Sequence, residues 1–375
     1  MSGILETLSK VNITEDQWRE ALDNHKVVAD EFDGFTYYRF VKKVGQLEKG
    51  SVVNESDIIF HFPQIARIMR LESGIKAAFN RPFYIEEKVD GYNVRVAEIG
   101  GNVFAFTRGS YVCPFTTDRV GDFFNSEEFF SDNPHLIVCG EIAGPENPYN
   151  RGYPSYVKED VKFFAFDIRT KNTDKHVPTE EKYRLFDRYK IPTVTCFGRH
   201  TNSDIGRIKR VLKELNDRGC EGVVLKPVSP DEKMVKYVTA GSCYRDMRVT
   251  SGLMLEIPAE FFTQRLFRVI FYLLDNELPL DKTIMQKTGE SLLLPLFESA
   301  KKAISGEMVA EEFHVRLIHE KSIQKLFDHF HKCSVNAVLI NQRKIGNYWH
   351  VKFERRCYPT YEIIRKYWEG LSHFD

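Results

Sequence analysis

The chain reads as an α+β protein built on antiparallel sheets, with an N-terminal accessory segment and a mainly helical C-terminal region that ends in a small α+β appendage. Three observations predict this. Between about Tyr84 and Val238, short apolar runs are broken by Gly, Pro and Asn, which is the pattern of strands. Only two helix-periodic segments interrupt those runs, at uneven spacing, so a regular doubly wound sheet is not expected. Past Thr250 long stretches turn apolar on most faces, as helices do. At 375 residues the chain exceeds one small module, and 42% hydrophobic residues, with 29 Phe and 17 Tyr, supply surface for several cores. The expected division is 1–62 (accessory), 63–245 (strand-rich), 246–312 (helical) and 313–375 (appendage).

The first helix is announced by Thr14, which stands at capping-box spacing from Gln17 ahead of Trp18, Ala21 and Leu22. Strands are expected over 93–99, 103–107, 136–140, 162–168, 222–226 and 234–237. Helices are expected over 180–189 and 204–217, the second closed by Gly219. Residues 259–274 and the periodic stretch 314–331 read as helical, followed by strands over 335–340 and 348–353 and a helix over 360–368. A helix that is apolar all round must be buried, and here a second copy of the chain could bury it, which predicts a homodimer.

Lys plus Arg total 53 and Asp plus Glu total 53, so no whole-molecule field draws polyanions, and a nucleic-acid site must be a local patch. The first residues lack a basic stretch followed by an apolar one, and the longest greasy run, 269–274, is far shorter than the roughly 18 residues of a membrane span. A cytoplasmic protein without a membrane partner is expected. Seven cysteines without a C-x-x-C pair suggest neither a disulfide framework nor a zinc ribbon. Asp328, His329, His331 and Cys333 lack a second ligand cluster and read as a solvated or packed helix end.

The stretch most informative about chemistry is Glu86-Glu87-Lys88-Val89-Asp90-Gly91-Tyr92-Asn93-Val94-Arg95. It places a lysine in a charged, glycine-containing turn between apolar strands. Such a lysine can be a nucleophile if nearby cations, here Lys226 and Lys236, or desolvation lower its pKa. The alternative is a surface lysine beside a D-G turn. Further segments follow in order: Thr107-Arg108-Gly109, Gly140-Glu141-Ile142-Ala143-Gly144, Phe163-Phe164-Ala165-Phe166-Asp167, Glu221-Gly222-Val223-Val224-Leu225-Lys226 and Met234-Val235-Lys236-Tyr237. Over residues 86–237 this series resembles the covalent nucleotidyltransferases, the superfamily of DNA ligases, RNA ligases and mRNA capping enzymes.

The resemblance implies an adenylation domain in which Lys88 attacks the α-phosphorus of ATP. It implies that Glu86 accepts the adenine amino group, that Asn93 and Arg95 lie at the nucleotide, and that Arg108 and Glu141 hold the ribose hydroxyls. Phe166 is implied to stack on adenine, with Phe164 as fallback. Glu221 is implied to position Mg²⁺ (or Mn²⁺), and Lys226 and Lys236 to neutralise the α-phosphate. The last motif departs from the family pattern: Tyr237-Val238 follow Lys236, so its partner lysine is missing or displaced to Lys233.

Five residues after the nucleophile stands Asn93, where DNA ligases and capping enzymes carry arginine and end-sealing RNA ligases carry asparagine. Helices rather than a barrel are read after Thr239. Together these features resemble the archaeal-type, homodimeric ATP-dependent RNA ligases, which implies joining of 5′-phosphate and 3′-hydroxyl ends of single-stranded RNA, circularisation included. A DNA ligase or nick sealer, or a catalytically silent nucleotide- or RNA-binding module, are the alternatives. Candidate RNA surfaces are Arg207, Lys209, Arg210 and Lys213 on one helix face, and Arg355, Arg356, Arg365 and Lys366 interleaved with Tyr358, Tyr361, Tyr367 and Trp368.

Overall fold

The computed structural model describes residues 2–228 and 232–370. The N-terminal unit joins helices α1 (Ser2–Ser9) and α2 (Glu15–Asp23) to a four-stranded sheet of β1 (Val27–Phe32), β2 (Phe35–Phe40), β3 (Val52–Val53) and β4 (Ile58–Ile59). Thr14 caps α2 in a complete capping box with Gln17, as expected. Strand β5 (Ala66–Arg67) and helix α3 (Leu71–Ala78) lead into the strand-rich core.

That core holds two sheets. One has the order β10-β9-β7-β8, with β7 (Tyr92–Ile99), β8 (Asn102–Thr107), β9 (Leu136–Ala143) and β10 (Lys162–Thr170). The other has the order β11-β6-β12-β13-β5, adding β6 (Phe83–Lys88), β11 (Cys196–His200), β12 (Gly222–Pro227) and β13 (Val235–Val238). Helices α4 (Pro114–Phe123), α5 (Ser126–Asp132), α6 (Thr179–Arg188) and α7 (Ile205–Asp217) connect them. Strand alternation divides the faces. Phe83, Ile85, Val223, Leu225 and Tyr237 pack on Ile208, Leu212 and Leu215 of α7, which leaves the opposite face, with Glu86 and Lys88, to the cleft between the sheets.

Helices then follow: α8 (Ala240–Thr250), α9 (Ala259–Asp275) and α10 (Lys282–Ile304). Among the described residues no five-stranded barrel comes after β13. A three-stranded sheet, order β14-β16-β15, completes the chain with β14 (Ala310–Leu317), helix α11 (Lys321–Lys332), β15 (Ala337–Ile345), β16 (Tyr348–Arg356) and helix α12 (Tyr358–Trp368).

Residues 310–317 differ from expectation. They form a strand because Phe313, Val315 and Leu317 alternate inward, a period of two that the helical reading of 314–331 overrode. The expected boundary at 312/313 therefore falls inside β14, and the one at 245/246 inside α8. Phe313, Val315, Phe330 and Phe353 of the appendage share one core with Val94, Val138 and Phe163, so the C-terminal sheet is bound into the strand-rich core.

Candidate active site

Antiparallel register sets Lys88 opposite Gly222, Glu86 opposite Val224, and Val224 opposite Lys236. Side chains two apart share a strand face, so Glu86, Lys88, Val224, Lys226 and Lys236 line one cavity of about 530 Å³. The facing sheet contributes Asn93, Arg108, Glu141 and Phe166, with Asn93 and Glu141 directly paired across β7 and β9. Close backbone approach explains the glycines beside Lys88. A Cβ on Gly91 would lie 2.2 Å from Ile142 O, and one on Gly222, whose φ is +148°, would lie 2.1 Å from Tyr237 O.

Lys88 Nζ is 2.5 Å from Glu221 Oε2. Burial pulls its pKa down, but the acidic neighbours, Glu221 first and then Glu141, outweigh burial, so the net shift is upward and Lys88 is an ammonium in the ligand-free site. This reverses the expectation of a lysine poised by neighbouring cations. Burial pushes the neighbouring carboxyls up, Glu141 to about 8 and Asp90 to about 7, with Glu221 adding to both. Lys236 goes the other way, down to about 8, through burial and then the like charges of Lys88 and Arg67.

Lys226 does not stand beside Lys88. Its register partner is Tyr84, four pairs along from the pair of Gly222 and Lys88. Its Nζ lies 2.5 Å from Phe166 O and 2.9 Å from Glu86 Oε2, and 5.5 Å from the Phe166 ring centre. A second lysine, Lys182 of α6, is fully buried and donates to Glu86 Oε1 (2.6 Å) and Phe166 O (2.7 Å), while Tyr183 Oη donates to Glu86 Oε1 (2.9 Å). Despite the burial that raises it, these two lysines hold the Glu86 carboxyl below its ordinary pKa. Lys226 thus lines the cavity at its Phe166 end rather than beside Lys88. Phe166 lines the cavity from a bulge between Ala165 and Asp167, whereas Phe164 packs against Tyr156 outside that lining.

Arg95 departs from the expected place at the nucleotide. It is fully buried, outside the cavity lining, and donates to Phe60 O (2.7 Å) and Thr107 O (2.9 Å). There it fastens the segment that carries Phe62, Pro63 and Ile65 into the cavity wall; Phe62 meets Phe166 edge-on at 5.1 Å. Helix α11 adds His329 and Cys333 to the lining. Burial, then Lys332, takes His329 down to about 4, and its ring packs on Tyr111 and Tyr149. The local motifs could not reveal Phe62, Lys182 or His329, because each arrives from an element remote in sequence. The alternation of Tyr183 and Phe186 around Lys182 was the available hint that α6 lies against the core.

Residues 81–238 match the RNA ligase family model, and residues 249–371 match the model of the C-terminal region of the ligase Pab1020. An archaeal ATP-dependent RNA ligase of solved structure aligns at a TM-score of 0.89 and 28% identity over 98% of each chain. The chain belongs to the archaeal-type ATP-dependent RNA ligases. This ligase is also similar to a protein of Aquifex aeolicus provisionally called an ATP-dependent DNA ligase, with a TM-score of 0.92, 32% identity, 96% of this chain and 100% of that one. The uncharacterised protein MJ0414 of Methanocaldococcus jannaschii is 30% identical over 354 residues, 92% of this chain and 89% of that protein. No helix among the described residues of the ligase is long and apolar enough to cross a membrane.

Proposed function

We propose that the ligase joins 5′-phosphate and 3′-hydroxyl ends of single-stranded RNA, circularisation included, through AMP bonded to Lys88 Nζ. The observation that carries this reading is the order of groups along one cavity. An aromatic and an ionised carboxylate, Phe166 and Glu86, suit an aminopurine at one end, and Lys88 with Lys236 suit phosphate at the other.

In the first step the bond from Nζ to the α-phosphorus forms as the bond from that phosphorus to the pyrophosphate oxygen breaks, its electron pair leaving with pyrophosphate. Lys88, an ammonium 2.5 Å from Glu221, gives up one proton to that carboxylate before it attacks and a second, carried off by the departing pyrophosphate, as the phosphoramidate forms. In the second step an oxygen of the RNA 5′-phosphate takes the AMP and frees Nζ. In the third the 3′-hydroxyl attacks the RNA phosphorus, losing its proton, and AMP departs. Lys236 is the cation suited to the α-phosphate, and Arg108 and Glu141 to the ribose. Asn93, whose buried Oδ1 has no hydrogen-bond partner, is suited to the RNA end during sealing.

A divalent cation, Mg²⁺ or Mn²⁺, fits Glu221 by the hard-oxygen chemistry of its carboxylate. Among the described residues no three acidic, histidine or cysteine side chains are grouped to hold a metal alone. Nucleotide phosphates and water would therefore complete the shell. When bound, such an ion supplies neutralisation of phosphate charge.

Two partner readings are supported by the surface. Phe267 (50% exposed), Leu274 (67%), Leu293 (65%) and Phe297 (64%) on α9 and α10 are apolar side chains left in solvent, as the covered face of a homodimer would be. Trp368 (70% exposed) on α12, near Arg365 and Lys366, is suited to stack RNA bases. Charge reversal of Arg365 and Lys366 weakens RNA binding and flattens its salt dependence; unchanged slopes would remove that surface.

The test of the assignment is covalent labelling by ATP. Lys88→Ala abolishes it while circular dichroism shows an intact fold, and a variant that still labels would reject Lys88 as the nucleophile.

A further inference from the structure

Three of the acidic groups around Lys88 are already paired. Glu221 faces Lys88 at 2.5 Å, Asp90 pairs with Arg245 at 2.9 Å, and Asp246 pairs with Arg265 at 2.8 Å. Among the described residues, two further arginines in the same neighbourhood form no ion pair. Arg268 of α9 is only 6% exposed, no carboxylate pairs with it among the described residues, its hydrogen bond to Gln264 Oε1 is 3.4 Å, and its Nε has no partner. Arg67 of β5 likewise has a buried Nε without a partner. The two press on each other, since after burial Arg268 is the largest influence lowering the pKa of Arg67. The buried Arg268, with no carboxylate paired to it and the half-buried Arg67 close by, destabilises the fold unless an anion joins the two.

Their position says which anion. Arg67 pairs in register with Lys236, so the row Glu86, Val224, Lys236, Arg67 crosses four neighbouring strands on one face. At about 4.8 Å per strand, Arg67 lies roughly 14 Å from the strand of Glu86, the reach of a nucleoside triphosphate laid base to γ-phosphate. We propose that Arg67 and Arg268 seat the pyrophosphate end of ATP, a site shared between β5 and the helical region. It rests on the reading of Lys88 as the adenylylated residue. As the bond between the α-phosphorus and the bridging oxygen breaks, the departing electron pair, and the charge it brings, collect on the group these guanidiniums face.

The test uses the full-length lysyl-AMP enzyme titrated with pyrophosphate to regenerate ATP, set against sealing of preformed 5′-adenylated RNA, which uses no nucleotide. Arg67→Gln and Arg268→Gln each raise the KM for pyrophosphate by about tenfold more than the KM for adenylated RNA. Sodium tripolyphosphate raises the melting temperature of the ligand-free wild type and not that of Arg268→Gln, whose own melting temperature is not lowered, because an unpaired buried charge has been removed. Unchanged pyrophosphate KM overturns the proposal. So does a loss confined to adenylated RNA, which would make these arginines an RNA phosphate site. If no lysyl-AMP forms in the wild type, the reading of Lys88 fails, while the tripolyphosphate shift still decides the anion site.

Discussion

Glu141 and Asp90 carry protons that an exposed carboxyl would have lost, and this has a measurable consequence. Their folded-state pKa values, about 8 and about 7, stand above the ordinary 4.5 and 3.8. Protonation therefore favours the fold: this stabilisation is fully present below the ordinary values and is lost as pH rises through the folded ones. The melting temperature of the ligand-free ligase should fall between about pH 4.5 and 8, and Glu141→Gln should flatten part of that fall; an unaltered slope would contradict the assignment. Lys182 is a second residue with a clear expectation. Lys182→Met leaves the fully buried Glu86 with one cation fewer, and urea denaturation should show about 3–5 kcal/mol lost. The residues legible in the sequence were those of the short motifs, Lys88, Glu141, Glu221 and Asn93, whose neighbours along the chain identify them. Lys182 was not, because a lysine in a charged helix looks solvated until the sheet it meets is known.

At the scale of elements, strand register does most of the positioning. Lys88, Gly222 and Val238 form one row, and Glu86, Val224 and Lys236 the next. The two-residue period of β6 and β12 was readable, but not their pairing. Hence the strand that carries Lys226 was legible, and its register partner Tyr84, which sets it toward the Phe166 end of the cavity, was not. The turn that carries the chain from β6 in one sheet to β7 in the other depends on Gly91, where a side chain would meet Ile142 O. Gly91→Ala should unseat Lys88 from Glu221 and slow adenylylation at least about a hundredfold, the penalty of a misplaced reacting group; single-turnover labelling measures it. Element identity failed where two periods adjoin. Residues 310–317 alternate as a strand, and the helix-periodic Ile323, Leu326 and Phe330 just beyond drew them into one helix.

Across the whole molecule the cavity is closed by parts distant in sequence. Arg95 ties the Phe60 segment to β8, and α11 brings His329 to the opposite side. Lys332 and Asp30, 2.6 Å apart, join α11 to the N-terminal sheet. No reading of local pattern could assemble such a wall, since its members share neither motif nor element. The exposed apolar row on α9 and α10 predicts self-association, and Leu293→Glu with Phe297→Glu should convert a dimer to monomer in equilibrium sedimentation; a wild type that is monomeric at micromolar concentration would contradict it. The central claim is most directly tested by following label from the α-phosphate of ATP into the protein with Mg²⁺, then chasing with 5′-phosphorylated single-stranded RNA or matched nicked duplex DNA. The account predicts label on Lys88 that moves to the RNA 5′ end and is released as AMP with a sealed or circular product. Transfer to nicked DNA alone, or no label on the protein, would contradict it.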